Sequence, residues 1–224
     1  MIRLDIFSDP ICPWCYIGKS RLDRALEARP DQPFKIEWHP FQLNPDMPKN
    51  GMDRRAYLET KFGGQEGAVK AYLPVTTEAE ASGLEINLEG ITRTPNTLDA
   101  HRLIHWAGIE FKQNAVVDRL FRAYFIDGID IGDPARLVEI ASSVGMDRDV
   151  VGRLLATDAD ADDIRARDMD ARRKGVQSVP TFVLANQHVV SGAQPTELWT
   201  QVIDDLIAQL AAGSSAGSSE SPAD

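Results

Sequence analysis

The sequence predicts an α/β protein with a large all-helical insertion. Alternating apolar and polar residues at 2–7 and 34–38 predict two strands, one on each side of a first helix. Roughly a hundred residues of helical pattern follow, and strand patterns return at 181–184 and 188–191 before a last helix. We therefore assign residues 1–50 and 175–212 to one α/β domain, 51–174 to the helical insertion and 213–224 to a disordered tail rich in Ser, Gly and Ala.

The first helix begins at the chain's only two cysteines, in the motif Cys12-Pro13-Trp14-Cys15. Proline is favoured at the first position of a helix, which makes Cys12 the predicted N-cap and Cys15 the third helical residue. An N-cap side chain accepts the backbone N–H of that third residue. We therefore expect the amide of Cys15 and the helix dipole to stabilise a Cys12 thiolate. Pro30 ends the helix.

This spacing predicts redox chemistry, with Cys12 as the nucleophile and Cys15 as the resolving thiol, because residues three apart in the first turn lie within disulfide distance. A zinc site would need further Cys or His ligands at suitable spacing. His101 and His105 are four apart on a predicted helix but lack the other residues of a known zinc motif, so no metal is predicted. Two inert buried cysteines are the remaining alternative.

The insertion is read as a series of helices separated by glycines and by helix-capping residues. A helix over 52–72 is predicted to end at Leu73-Pro74, and residues 86–88 form a short extended piece. Asp133-Pro134 and Asp147 mark helix starts. Helices are then predicted over 97–107, 115–126, 134–144, 148–156 and 162–174. His101 lies on the first of these, either as a satisfied structural histidine, which the pattern favours, or facing a cleft.

After residue 175 the chain carries Val179-Pro180 directly before a short apolar strand. A proline at the first residue of a strand removes no central hydrogen bond. On local grounds a trans peptide bond is the default there. A turn at residues 186–187 joins the last two strands, and residues 192–196 lead into the amphipathic last helix.

Composition narrows the possible partners. The net charge of −10 disfavours nucleic acid and anionic membranes. No segment approaches the length of about 18 apolar residues typical of a membrane helix, and the first residues lack the apolar region of a signal peptide. We therefore expect a cytoplasmic protein, where a disulfide is more often catalytic than structural.

Several motifs together resemble a known family: the segments at residues 8–18 and 40–45, Asn-Thr-Leu-Asp-Ala-His-Arg at 96–102, Gly-Val-Gln-Ser-Val-Pro-Thr-Phe at 175–182 and Ser-Gly-Ala-Gln at 191–194. They are similar to the DsbA-like branch of the thioredoxin superfamily, and more narrowly to its FrnE-like members. The resemblance implies a thioredoxin-like fold in which Pro180 is cis and faces the cysteines, with the Val179 backbone open to a bound peptide or thiol. Related glutathione-dependent 2-hydroxychromene-2-carboxylate isomerases and kappa-class glutathione transferases commonly carry serine at the position of Cys12.

The predicted function is therefore a thiol–disulfide oxidoreductase, a reductase or isomerase acting on protein or small-molecule disulfides, with Cys12, Cys15 and Pro180 as catalytic residues. No tightly bound cofactor is expected, and glutathione is a possible co-substrate and external thiol. The alternatives are a glutathione-dependent isomerase or transferase acting on an aromatic metabolite, and a redox-regulated binding module without turnover. The predicted substrate contacts are Trp14, Phe41, His101, Val179, Ser191, Gly192, Ala193 and Gln194. The last four form a turn that would hold glutathione carboxylates near a helix N-terminus.

Overall fold

The computed structural model describes residues 1–216. In chain order its elements are β1 (Ile2–Ser8), α1 (Pro13–Ala28), β2 (Phe34–Pro40), β3 (Met52–Asp53), α2 (Arg54–Phe62), α3 (Gln65–Ala81), β4 (Arg93–Thr94), α4 (Leu98–Ile109), α5 (Gln113–Phe125), α6 (Pro134–Ser143), α7 (Arg148–Leu155), α8 (Ala161–Arg173), β5 (Thr181–Leu184), β6 (His188–Ser191) and α9 (Thr196–Ala216). The predicted α/β class is confirmed, as is the large helical insertion between β2 and β5.

The four predicted strands form one sheet in the order β2-β1-β5-β6. β1 runs parallel to β2, in a register that places Ile6 beside Trp38, and antiparallel to β5, where Ile6 faces Phe182. β5 and β6 form the antiparallel hairpin predicted from residues 181–191. The central strand therefore brings the first and last parts of the chain together, and α1 and α9 pack on each other beside this sheet.

The start of the insertion differs from the prediction. The helix predicted over residues 52–72 is two helices, broken at Gly63 and Gly64, whose φ angles of 74° and 111° suit glycine. α3 then continues through Pro74 instead of ending there. Pro74 is exposed, so water can bind the carbonyl oxygen that loses its helical partner. The extended piece predicted at 86–88 is irregular, and the insertion instead contains a two-residue ladder between β3 and β4.

The five later helices of the insertion lie within two residues of their predicted bounds. α5 carries much of the contact with the active-site helix: the ring of Tyr16 stacks on Phe121 and Phe125, with centroids 5.4 Å away in each pair. The buried Lys19 ammonium also lies 3.3 Å from the Asp118 carboxylate of α5. One buried apolar cluster accordingly extends from the sheet through α1 into the insertion.

The last helix extends to Ala216. Residues 217–224, most of the predicted disordered tail, lie outside the described residues. Across residues 1–216, no helix is both long and apolar enough to span a membrane.

Candidate functional site

The two cysteines lie where β1 gives way to α1, with Cys12 as the N-cap residue and Pro13 in the first turn, as predicted. The carbonyl oxygen of Cys12 accepts from the amides of Cys15 and Tyr16, at 3.1 and 3.2 Å. Both cysteines are free thiols, so the structure represents the reduced dithiol. The N-cap geometry therefore places one sulfur at the helix N-terminus and the other one turn inside.

The Cys12 side chain does not cap the helix, contrary to the prediction. Its Sγ instead lies 3.7 Å from the carbonyl oxygen of Val179, to which the thiol can donate. A protonated thiol is a donor, and a backbone amide offers it no acceptor. The amide of Cys15 is already bonded to the Cys12 carbonyl. In this reduced state the thiol is therefore held by the chain segment around residue 179.

The Val179–Pro180 peptide bond is cis, as the family resemblance implied. Gly18 of α1 allows this segment to approach closely, because a Cβ at residue 18 would lie 3.0 Å from Cγ of Pro180 and 3.4 Å from Cα of Ala193. The amide of Gly192 donates to the Pro180 carbonyl at 2.8 Å. Cys12, Pro180 and the turn at 191–194 thus meet at one end of α1.

The environment distinguishes the two thiols. Burial raises the pKa of the Cys15 thiol well above its ordinary value, and the hydrogen bond and charge of Cys12 raise it further. Cys15 is only 1 % exposed, and Cys12 is 4 % exposed. Because a thiolate is the attacking species in disulfide exchange, the raised pKa of Cys15 suits the resolving role, and the position of Cys12 at the helix N-terminus suits the nucleophilic one.

The predicted substrate contacts fall into two groups. Trp14 is half-buried, Val179 lies against Cys12, and the turn formed by Ser191, Gly192, Ala193 and Gln194 is partly exposed beside Pro180. By contrast, Phe41 is buried beneath the Arg172 guanidinium, 4.0 Å from its ring centroid, and His101 is 3 % exposed. That Phe41 and His101 contact the substrate stays a prediction, and neither side chain lies at an open surface.

His101 is also not the satisfied structural histidine that the sequence favoured. Its Nε2 has no hydrogen-bond partner and lies 3.8 Å from Oδ1 of Asp9. Burial lowers the pKa of His101 to about 4. The histidine is therefore neutral near pH 7, and its unpaired nitrogen faces a carboxyl group.

Asp9, which sequence reasoning did not single out, is fully buried just before the motif. Its carboxyl accepts from the amide of Leu43 at 2.6 Å, and Thr97 contributes a longer contact of 3.4 Å. Burial raises the pKa of Asp9 to about 7, although these donors act in the opposite direction. The signal in the sequence was an acidic residue between a buried strand and the cysteines.

Other polar clusters lie apart from the dithiol. The ligand atoms of Asp5, Glu37 and His39 lie within 4.8 Å of one another, but Arg3 donates to both carboxylate oxygens of Asp5. A cavity of about 1010 Å³ adjoins this cluster on the sheet side, and its lining contains neither cysteine. The three-residue cluster supplies no part of the cysteine site, but the cavity is also lined by Ser178 and Thr181, which flank the cis-proline segment, and by Ser191.

Comparison with known proteins places the chain in a family. The profile of the family described as a DSBA-like thioredoxin domain matches residues 3–204, which include the dithiol and the cis-proline segment. The chain belongs to this DsbA-like family. The thioredoxin-like, DsbA-like fold predicted from the sequence motifs is thereby confirmed, and the family is one of thiol oxidoreductases.

Solved structures of the DsbA-like fold agree. A probable DsbA oxidoreductase of Streptomyces coelicolor is 33 % identical, with a TM-score of 0.79 over 100 % of this chain and 93 % of that one. A 2-hydroxychromene-2-carboxylate isomerase is 17 % identical, with a TM-score of 0.69 over 93 % and 98 % of the two chains. The cytosolic disulfide reductase DsbM of Pseudomonas aeruginosa, solved with GSH, is 19 % identical, with a TM-score of 0.65 over 92 % and 98 %. The last two likenesses concern the fold alone.

Proposed function

We propose that this DsbA-like protein is a cytoplasmic thiol–disulfide oxidoreductase that reduces or isomerises protein or small-molecule disulfides. The Cys12 thiolate attacks one sulfur of a substrate disulfide, forming a mixed disulfide and releasing one substrate thiolate. Cys15 then passes its proton to the first released thiolate, directly or through water, and attacks the Cys12 sulfur, which breaks the mixed disulfide and releases the second substrate thiolate. The protein is left with a Cys12–Cys15 disulfide, and the substrate has gained two electrons.

The observation that carries this proposal is the unequal pair of free thiols. One sulfur lies at a helix N-terminus, where the dipole stabilises a thiolate, and the other is buried with a raised pKa. The Val179 carbonyl contacts the Cys12 thiol at 3.7 Å. A disulfide substrate bound at Cys12 would replace that contact, leaving the backbone of residue 179 free to pair with the substrate chain.

Glutathione is the proposed external thiol that restores the reduced dithiol. Two glutathione molecules supply the two electrons and become glutathione disulfide, while Cys12 and Cys15 each regain a proton. The partly exposed turn at residues 191–194 beside Pro180 is the proposed place for a glutathione carboxylate. The presence of GSH in the structure of DsbM, which shares this fold, supports the choice of thiol.

Two serine variants test the order of attack. Cys15→Ser keeps the attacking sulfur and loses the resolving one, so it should accumulate mixed disulfides with glutathione or with a model protein disulfide. Cys12→Ser keeps only the buried thiol and should accumulate none. Intact-protein mass spectrometry measures both, and equal adduct formation by the two variants would overturn the assignment of roles.

Turnover assays test the reaction class. The wild-type protein should reduce insulin disulfides or glutathione mixed disulfides with a thiol reductant, and both serine variants should lose this turnover. Glutathione-dependent isomerisation of an aromatic carboxylate with no disulfide reduction would replace the proposal by the isomerase alternative. Inactivity in both assays would favour a binding module.

A further inference from the structure

Arg54, the first residue of α2, is a buried cation without an acidic partner. It is 6 % exposed, and across residues 1–216 no carboxylate lies within ion-pair distance of its guanidinium. Its Nη1 donates to the Tyr124 hydroxyl at 3.0 Å, and its Nη2 donates to the Tyr72 hydroxyl at 2.8 Å. These bonds use two of the five N–H groups of a guanidinium. The guanidinium also lies 5.4 Å and 5.8 Å from the ring centroids of Tyr72 and Tyr124. Buried charges are ordinarily paired with an opposite charge, and among residues 1–216 this one has only these neutral partners.

The two tyrosines hold the guanidinium in place from different helices. Tyr124 of α5 also donates to the carbonyl oxygen of Arg93, at 3.2 Å, which fixes the direction of its hydroxyl. Tyr72 of α3 accepts from Arg54, and no acceptor lies opposite its own hydroxyl proton in the described chain. One positive charge and one spare hydroxyl donor are therefore presented together. Both suit the two oxygens of a carboxylate.

Arg54 and Tyr72 line a groove of about 700 Å³ between α2, α3 and the segment at 86–89. The groove walls are largely apolar, formed by Leu58, Val69, Leu73, Ile86 and Leu88. Val69 and Leu73 are each 64 % exposed, so the groove opens to solvent along α3. Glu89 is the one acidic residue of the lining, and it is exposed at the rim.

This groove adjoins the dithiol motif. Trp14, which lies between the two cysteines, packs on the same buried residues, Ile17, Val75 and Ala79, as do Tyr72 and Ile86 of the groove. Burial raises the pKa of Tyr72, and the charge of Cys12 raises it further. The groove is therefore linked to the dithiol motif through this shared cluster and Trp14, although neither cysteine lines it.

We propose that this groove binds a small organic carboxylate with an apolar or aromatic body, with Arg54 and Tyr72 holding the carboxylate. As a consequence that rests on the proposed redox function, the protein prefers aromatic disulfides that carry a carboxylate over neutral ones. The charge is matched by the buried guanidinium, and the body of the ligand is matched by the apolar walls.

Binding of 2-naphthoate, with neutral 2-naphthylmethanol as its matched probe, tests the groove by calorimetry on the full chain. We expect naphthoate to bind at least about tenfold more tightly, because hydrogen bonds to charged groups in a desolvated site are strong. Arg54→Gln should remove that difference. Equal affinity of the two probes for the wild-type protein would refute the proposal, because Arg54 would then serve only to join α2 to its neighbours.

Two variants that place opposite charges at the rim of the groove test the proposal even if Arg54→Gln fails to fold. Val69→Lys should tighten naphthoate binding about twofold and Val69→Glu should weaken it about twofold, as expected for a solvent-screened charge at the edge of the groove. Val189→Glu is the matched control, because Val189 is 66 % exposed on β6 and does not line the groove. Equal affinities in the Lys and Glu variants would overturn the placement.

Two aromatic disulfides then separate this inference from the redox proposal. The ratio to measure is kcat/KM for 5,5′-dithiobis(2-nitrobenzoate) divided by kcat/KM for neutral 2,2′-dithiodipyridine. This ratio should be about tenfold higher in the wild-type protein than in Arg54→Lys, because lysine keeps the positive charge but lacks the planar guanidinium that can bind both carboxylate oxygens. If neither disulfide is reduced, the redox function fails, and naphthoate binding still decides the groove. If both are reduced with an unchanged ratio, the substrate preference fails and the redox function stands.

Discussion

Replacing Asp9 by Asn tests the carboxyl group buried beneath the dithiol. Burial raises its pKa from 3.8 to about 7. Between these two values the folded protein holds a proton that the unfolded chain has released, so the folded state binds more protons and the free energy of unfolding falls as the pH rises. The stability contributed by the protonated carboxyl is fully present below about pH 4 and is lost as the pH rises through about 7.

The size of the effect follows from this shift. Each pKa unit corresponds to about 1.4 kcal/mol, and about two units of the shift lie between pH 5 and pH 8. Asparagine keeps the size of the side chain and an oxygen that can accept from the Leu43 amide, but it carries no charge at any pH. Relative to the wild type, the free energy of unfolding of Asp9→Asn should therefore rise by about 3 kcal/mol between pH 5 and pH 8.

Urea unfolding at pH 5, 6, 7 and 8 measures this difference. His101 acts with the opposite sign: burial lowers its pKa to about 4, so its contribution is present above about pH 6.5 and is lost as the pH falls through about 4. This contribution does not cancel by itself, because the His101 Nε2 lies 3.8 Å from the replaced carboxyl group, so the same pair of proteins is also compared in a His101→Gln background. The exposed Asp46→Asn is the control for the loss of a surface carboxylate. A difference for Asp9→Asn that does not change with pH would refute the reasoning.

Four further substitutions test the active-site helix and the packing of the helical insertion. Trp14→His places an ionisable hydrogen-bond donor beside the attacking sulfur, so it should lower the pKa of Cys12 and raise the reduction potential of the dithiol. Thiolate absorbance measures the pKa, and equilibration with glutathione measures the potential. No change in either quantity would contradict this prediction. Gly18→Ala should lower the free energy of unfolding by about 1–3 kcal/mol in urea, because its Cβ meets the neighbouring proline ring at 3.0 Å. Gly152→Ala, whose Cβ meets nothing closer than 3.9 Å, should instead raise stability by about 0.5–1 kcal/mol. Arg102→Met should lower the free energy of unfolding by about 3 kcal/mol in the same assay. Arg102 is 1 % exposed and donates to three carbonyl oxygens at 2.6–2.7 Å, which would lose their partner. A loss below about 1 kcal/mol would count against this account.

The sequence was sufficient where a local signal decides the structure. Proline after Cys12 set the N-cap, strand alternation at residues 2–7 and 34–38 gave β1 and β2, and Asp133-Pro134 gave the start of α6. At residues 63–64 and 74 two local signals competed. The paired glycines broke the helix because both adopt positive φ, whereas the exposed Pro74 could be accommodated inside α3.

Contacts between distant segments were beyond the reach of sequence patterns. Nothing near Arg54 in the chain indicates that its guanidinium meets Tyr72 and Tyr124, and nothing near Asp9 indicates that His101 lies 3.8 Å from its carboxyl group. The capping prediction for the Cys12 side chain failed for the same reason: its actual partner, the Val179 carbonyl, comes from the other end of the domain. The family resemblance, and not the local pattern, supplied the cis bond before Pro180.

The contact between Cys12 and Val179 joins residues that are 167 positions apart in the chain. Protein synthesis proceeds at about 5–20 residues per second, so roughly ten to thirty seconds separate the emergence of the cysteines from that of residue 179. During that interval the nascent dithiol lacks the carbonyl group that holds Cys12 in the finished protein, and β1 lacks its neighbour β5. The thiols are thus exposed to the redox conditions around the ribosome before the active site exists, and a reducing compartment would be the one that preserves them for folding.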